Sequence, residues 1–116
     1  MLKYLAFLTK KQGMETLDFI DYYENKHLPL IRTLAPIPLV YRRRFLTRGD
    51  QLNKDDGALD FDVVTELGFT DRAAYIAWRS QVYGPVHGEQ VIADEAKFLD
   101  RSRTRSCVVE EYVTSE

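Results

Sequence analysis

The chain is short of most features that announce a function. Its single cysteine, Cys107, allows no internal disulfide, and a reducing, cytoplasmic setting is the simpler expectation. Excess charge of one sign is missing: 16 lysines and arginines against 18 aspartates and glutamates leave a net −2. A nucleic-acid binder should show a basic face, so that class is set aside. No stretch approaches the roughly twenty apolar residues of a membrane helix. The N-terminal run "MLKYLAFLTKKQG" carries its lysines after the apolar part and lacks a small-residue cleavage site, so it is not read as a signal peptide. Nothing repeats, and only the polar "RGDQLNKDDGALD" resembles a linker. With 45% apolar and 29% charged residues in 116, one globular domain over residues 1–116 is expected.

What is present is alternating periodicity. "LKYLAFLT" (2–9) is short and apolar enough for a buried strand. Residues 15–35 turn helical: at about 100° per residue, Leu17, Ile20, Tyr23, His27, Ile31 and Leu34 share one arc. "LVYRRRFLT" (39–47) follows the breakers Pro36 and Pro38 and is rich in strand formers. "FDVVTELGF" (61–69) places Phe61, Val63, Thr65, Leu67 and Phe69 on one face. Thr70 is the expected N-cap of a helix through about Tyr83. "YGPVHG" breaks that helix, "EQVIADEAKFLD" resumes it, and "TRSCVVEEYV" (104–113) closes as a strand.

The order β-α-β-β-α-β is the ferredoxin-like α+β arrangement, one four-stranded antiparallel sheet with its helices on one face. The second and fourth strands then lie at the edges, where Arg42, Arg43 and Arg44 would discourage unwanted pairing. No third layer remains for the other face of the sheet. Two copies pressed sheet to sheet would cover it, so a homodimer is expected.

Three blocks carry a resemblance that spans most of the chain: "FIDYYENKHLPLIR" (19–32), with its aromatics and His-x-Pro, "FDVVTELGFTDRAAY" (61–75), and "DEAKFLDRSRTRSCVVEE" (94–111). Together they resemble the EthD-like family of dimeric α/β-barrel proteins. The resemblance implies a homodimeric barrel with a pocket between sheet and helices. It also implies kinship with cofactor-independent decarboxylases, isomerases, cyclases and dehydratases of aromatic polyketide and catabolic pathways.

His27 lies near the middle of the apolar arc, and Pro29 should push Leu28 from helical geometry and break or restart the helix there. The imidazole is then either a core histidine satisfied internally or, matching the His-x-Pro position, an acid or base at a cavity. Glu24, one turn earlier, is a possible orienting carboxylate or a solvated rim group. Glu24-x-x-His27 is half of a di-iron motif without its second copy, so no metal is expected. His87, in a glycine-flanked loop, is the second candidate for proton transfer or an exposed loop residue. His87-x-Glu89 lacks the Pro-Cys-x-x-Cys of zinc deaminases. Tyr23, Tyr41, Trp78 and Tyr83 are candidate substrate walls as well as core. Arg43 is a candidate carboxylate ligand or an edge charge. Cys107 reads as packing.

The reading that emerges is a lyase- or isomerase-type enzyme without metal or organic cofactor. Its substrate would be a small aromatic or polyketide-like carbonyl or carboxylate compound. A cofactor-free monooxygenase of the same barrel architecture and a non-catalytic ligand-binding protein are the alternatives.

Overall fold

Apolar side chains at every second position need a partner layer on one side only. In the computed structural model, which describes residues 1–115, four strands answer that pattern. They are β1 (Leu2–Leu8), β2 (Val40–Phe45), β3 (Val63–Phe69) and β4 (Arg105–Val109). All pair antiparallel in the order β2-β3-β1-β4, which leaves β2 and β4 at the edges as expected. The helices are α1 (Thr16–Tyr22), α2 (Leu28–Leu34), α3 (Arg72–Tyr83) and α4 (Gly88–Glu95). This is the ferredoxin-like fold. Strands β2 and β4 are shorter than the sequence pattern suggests, and residues 110–115 lie outside β4.

Two aromatic-rich clusters join helices to sheet. Leu8 and Val63 meet Phe19, Tyr23, Phe98 and Leu99, while Leu67 and Phe69 meet Ile31, Trp78, Val82 and Val91. Phe19, Phe98, Val63, Val82 and Val91 are fully enclosed. Each large aliphatic or aromatic side chain so placed contributes about 1.5–3 kcal/mol relative to exposure.

The first helical run is not one regular helix. Between α1 and α2, Tyr23–His27 forms a π turn, with the Leu28 N–H bonded to the Tyr23 carbonyl. Its cause is legible in the burial pattern. Phe19, Tyr23, His27, Ile31 and Ala35 recur at four-residue spacing, and all are buried. In a regular α-helix that spacing over-rotates by roughly 40° per step. A wide turn absorbs part of the drift and keeps the five residues facing the sheet. Pro29 then sits in the first turn of α2, where its missing N–H costs little. The helix does restart at Leu28, but Leu28 keeps helical dihedrals (φ −59°, ψ −45°), against the expectation that proline would expel it. The expected arc also erred at Leu17, which is 80% exposed; Phe19 takes the inward place.

Helix α3 is capped by Asp71 and not by Thr70: the Asp71 carboxylate accepts from the Ala74 N–H at 2.8 Å. Asp71 combines an extended backbone with an acceptor aimed at the third amide of the helix. The break between α3 and α4 depends on two glycines for space. A Cβ at Gly84 would collide with the Ser80 carbonyl oxygen, and one at Gly88 would lie 2.6 Å from that of Tyr83.

The sheet's second face bears Lys3, Leu5 and Phe7 from β1 and Arg42 and Arg44 from β2. Glu66, at its centre, accepts from Lys3 Nζ at 2.8 Å and Arg44 Nη1 at 2.9 Å. Cys107 is exposed on this side, so it does not pack as expected. No helix is long and apolar enough to cross a membrane among the described residues.

Candidate functional site

The π turn aims His27 at the end of α4 rather than along its own helix. Its ring packs against Phe98, 4.9 Å between centroids, and edge-on to Tyr23 at 5.7 Å. Nδ1 lies 2.8 Å from Asp94 Oδ2, and the other carboxylate oxygen of Asp94 accepts from the Tyr22 hydroxyl at 2.6 Å. One carboxylate therefore bridges an imidazole and a phenol. Burial, reinforced by Asp94, pushes the Tyr22 phenol up to about 12, so it remains a donor at neutral pH. With Nδ1 committed to Asp94, Nε2 is the ring nitrogen left for other chemistry.

His27 borders a cavity of about 450 Å³ between the sheet and the helices. Four expected wall residues, Tyr23, Tyr41, Trp78 and Tyr83, do line it. Tyr23 shares a 2.6 Å hydrogen bond with Thr65. The Tyr83 hydroxyl donates to Glu95, whose other oxygen accepts from Arg101 Nε at 2.9 Å. Burial holds the Tyr23, Tyr41 and Tyr83 phenols above their ordinary range, so all are neutral donors at physiological pH. The Trp78 Nε1 is buried without a hydrogen-bond partner among the described residues. The cavity surface is about equally polar and apolar, with aromatic and aliphatic side chains interleaved with hydroxyl and charged groups.

Three expected site residues are arranged otherwise. Glu24 does not orient His27; its carboxylate receives two bonds from Arg43, at 2.7 and 2.9 Å. That pairing raises the Arg43 guanidinium above its ordinary value and occupies it, and neither residue lines the cavity. Arg43 is thus a structural clasp between β2 and the π turn, reached because β2 packs beside that turn. His87 is half-buried at the N-cap of α4 and also lies outside the cavity lining. The backbone turn that starts α4 directs the helix, not the preceding loop, towards His27.

Sequence reasoning missed Asp94, Tyr22, Glu95 and Arg101. Asp94 and Glu95 are adjacent acids in the last turn of an amphipathic helix, where a negative charge is unfavourable to the helix dipole. That misplacement, just ahead of an apolar Phe-Leu pair, was the available signal. Among the described residues no three His, Cys, Asp or Glu side chains converge as metal ligands would.

The comparison with known proteins follows the same lines. The EthD domain matches residues 11–102, which include the π turn, His27, most of the cavity walls and Asp94. The chain belongs to the EthD family. In three dimensions it is similar to an ethyl tert-butyl ether D (EthD) family protein of Bacillus halodurans C-125. The TM-score is 0.64 at 19% identity, covering 97% of this chain and 100% of that one. An uncharacterized NIPSNAP domain protein of Burkholderia xenovorans gives 0.63 at 17% identity, with 100% and 99% covered. A dimeric ferredoxin-like protein of unknown function from Thermobifida fusca YX gives 0.56 at 14%, with 93% and 88% covered. At these identities the likeness to this EthD chain speaks for the fold alone. No curated protein matches the sequence.

Proposed function

We propose that this EthD protein is a cofactor-independent enzyme that moves a proton on a small aromatic or polyketide-like carbonyl or carboxylate compound, acting as a homodimer. The observation that carries the reading is the Tyr22–Asp94–His27 chain, with the imidazole bordering a 450 Å³ cavity. Asp94 holds the ring by Nδ1 and stabilises the imidazolium when it forms, leaving Nε2 to take a proton from an activated carbon and return it. The neutral Tyr23 and Tyr41 phenols on the cavity wall are donors suited to a carbonyl oxygen that gains charge as the proton leaves. Decarboxylation, isomerisation and dehydration all use such a step.

Exchange of substrate protons with D2O, followed by NMR over a panel of aryl ketones and aryl β-keto acids, reports the step without knowledge of the full reaction. His27→Gln should cut exchange at least about a hundredfold, the usual scale of acid–base catalysis. Exchange undiminished in His27→Gln would sink the assignment.

One observation favours a second reading, a binding protein without chemistry: His27 is only 6% exposed, closed in by Tyr23 and Phe98. Under that reading ligands bind and are recovered with no deuterium incorporated.

A further inference from the structure

Three charged side chains other than His27 line the cavity: Arg79, Glu95 and Arg101. With His27 neutral, the lining carries one net positive charge. The two arginines differ from Arg43 and Arg44, whose guanidinium groups are committed to glutamates. Arg101 gives only its Nε to Glu95, and among the described residues its two terminal nitrogens have no hydrogen-bond partner. Arg79 is bound to no carboxylate; it lies over the Tyr83 ring, 4.9 Å from guanidinium carbon to centroid, with the Tyr75 hydroxyl beside it. Both are exposed residues that also line the cavity, which places them at its mouth.

The mouth is built, not incidental. Glu95 is 8% exposed, and its two oxygens receive Tyr83 and Arg101. Tyr83 in turn supports Arg79 through its ring. One buried carboxylate thus fixes both arginines, directly in one case and through an aromatic plane in the other. A guanidinium held by Nε keeps its outer pair of N–H groups in the fork that meets a carboxylate.

We infer that Arg101 and Arg79 form an anion clamp at the cavity mouth, and that the ligand is an aromatic carboxylate with its ring inside against Trp78 and the tyrosines. The inference rests on the proposed cavity as ligand site and deepens it, but it does not require that His27 perform chemistry. The carboxylate stays at the mouth and the remainder of the molecule reaches inward towards His27.

The probes are 2-naphthoate and its neutral analogue 2-naphthamide. Trp78, the only tryptophan of the chain, lines the cavity and reports binding by its fluorescence. The unmodified protein should bind naphthoate at least tenfold more tightly than naphthamide. Arg101→Gln should reduce that preference several-fold, and Arg79→Gln combined with Arg101→Gln should abolish it while naphthamide binding stays unchanged. Arg72→Gln, on the exposed start of α3, should leave the preference intact. Equal binding of the two probes, no binding of either, or a preference that survives the double substitution would overturn the clamp. His27→Gln separates this from the chemistry: naphthoate preference should persist in it, whatever becomes of proton exchange.

Discussion

Two carboxylates, half-buried Asp94 and buried Glu66, show how differently this chain uses its acids. Asp94 spends its charge on a titratable ring, whereas Glu66 spends it on two permanent cations. The Lys3 ammonium beside Glu66 holds its carboxyl below the ordinary glutamate range, against the opposing effect of burial and with the help of Arg44. A carboxyl depressed in the folded state stabilises fully above its unfolded pKa, and that stabilisation is lost as pH falls through the folded value. The protein should therefore lose stability as pH drops from about 5 to about 3, the region around and below a free glutamate. Glu66→Gln should flatten this acid limb in chemical denaturation and cost about 1–3 kcal/mol at neutral pH, because Lys3 and Arg44 lose their charged acceptor and one of its two oxygens becomes a donor. An unchanged acid limb would show that other carboxyls govern it. Alternation in residues 61–69 already turns Glu66 away from the face shared by Phe61, Val63, Thr65, Leu67 and Phe69. Its partners were not legible there, since Lys3 and Arg44 come from the strands on either side of β3.

At the scale of elements, the π turn is the feature on which the site depends. It reconciles a four-residue repeat of buried side chains with helix geometry, and it places His27 opposite Asp94. Removing one exposed residue from it, Asn25, converts one step of that repeat from four residues to three. A three-residue step under-rotates by about 60°, which offsets the roughly 40° excess of the four-residue steps. A regular α-helix would then present nearly the same face. Deletion of Asn25 should shift the melting temperature by no more than about 4 °C, the shift that 1 kcal/mol produces in a domain of this size. Deleting exposed Ala77 in the middle of α3 instead rotates Trp78 and Val82 by about 100° away from the rest of their helix face. That loss should exceed about 3 kcal/mol, on the scale of removing a large buried side chain. Thermal melts followed by circular dichroism compare the two; equal losses would mean that the π turn does not set the phase. The helix itself was readable from spacing, but its wide turn was not, because a single extra residue leaves no signature in a tolerant apolar pattern.

For the whole molecule, the second face of the sheet is the surface that a second copy would cover. Leu5 stands at the centre of that face on β1, opposite Glu66 on one side and Cys107 on the other. Under the proposed homodimer it lies where two sheets would meet. Sedimentation equilibrium should then give twice the 13.5 kDa chain mass, and Leu5→Glu should return the protein to the monomer mass. A chain that sediments as 13.5 kDa at about 50 μM would end the dimer proposal, since obligate sheet-to-sheet contacts of a few thousand Å² dissociate far below that range.

What the sequence determined alone is what periodicity controls. Alternation by two put Tyr41 on the helix-facing side of its strand, and helical spacing put Tyr23, Trp78 and Tyr83 on the sheet-facing side of theirs, which made all four walls. The inward stripe and the proline put His27 at the restart of a helix. Partnership belonged to the tertiary structure. His27 and Asp94 are 67 positions apart, and the choice of Asp94 over Glu24 depended on α4 ending beside the π turn while β2 brought Arg43 to Glu24. His87 stayed outside the cavity because its backbone starts α4 and that helix carries the chain towards the site. Spacing along a chain decides which way a side chain faces. Which charge it meets within about 3 Å is decided by how the elements pack, because a hydrogen bond acts over that distance and no further.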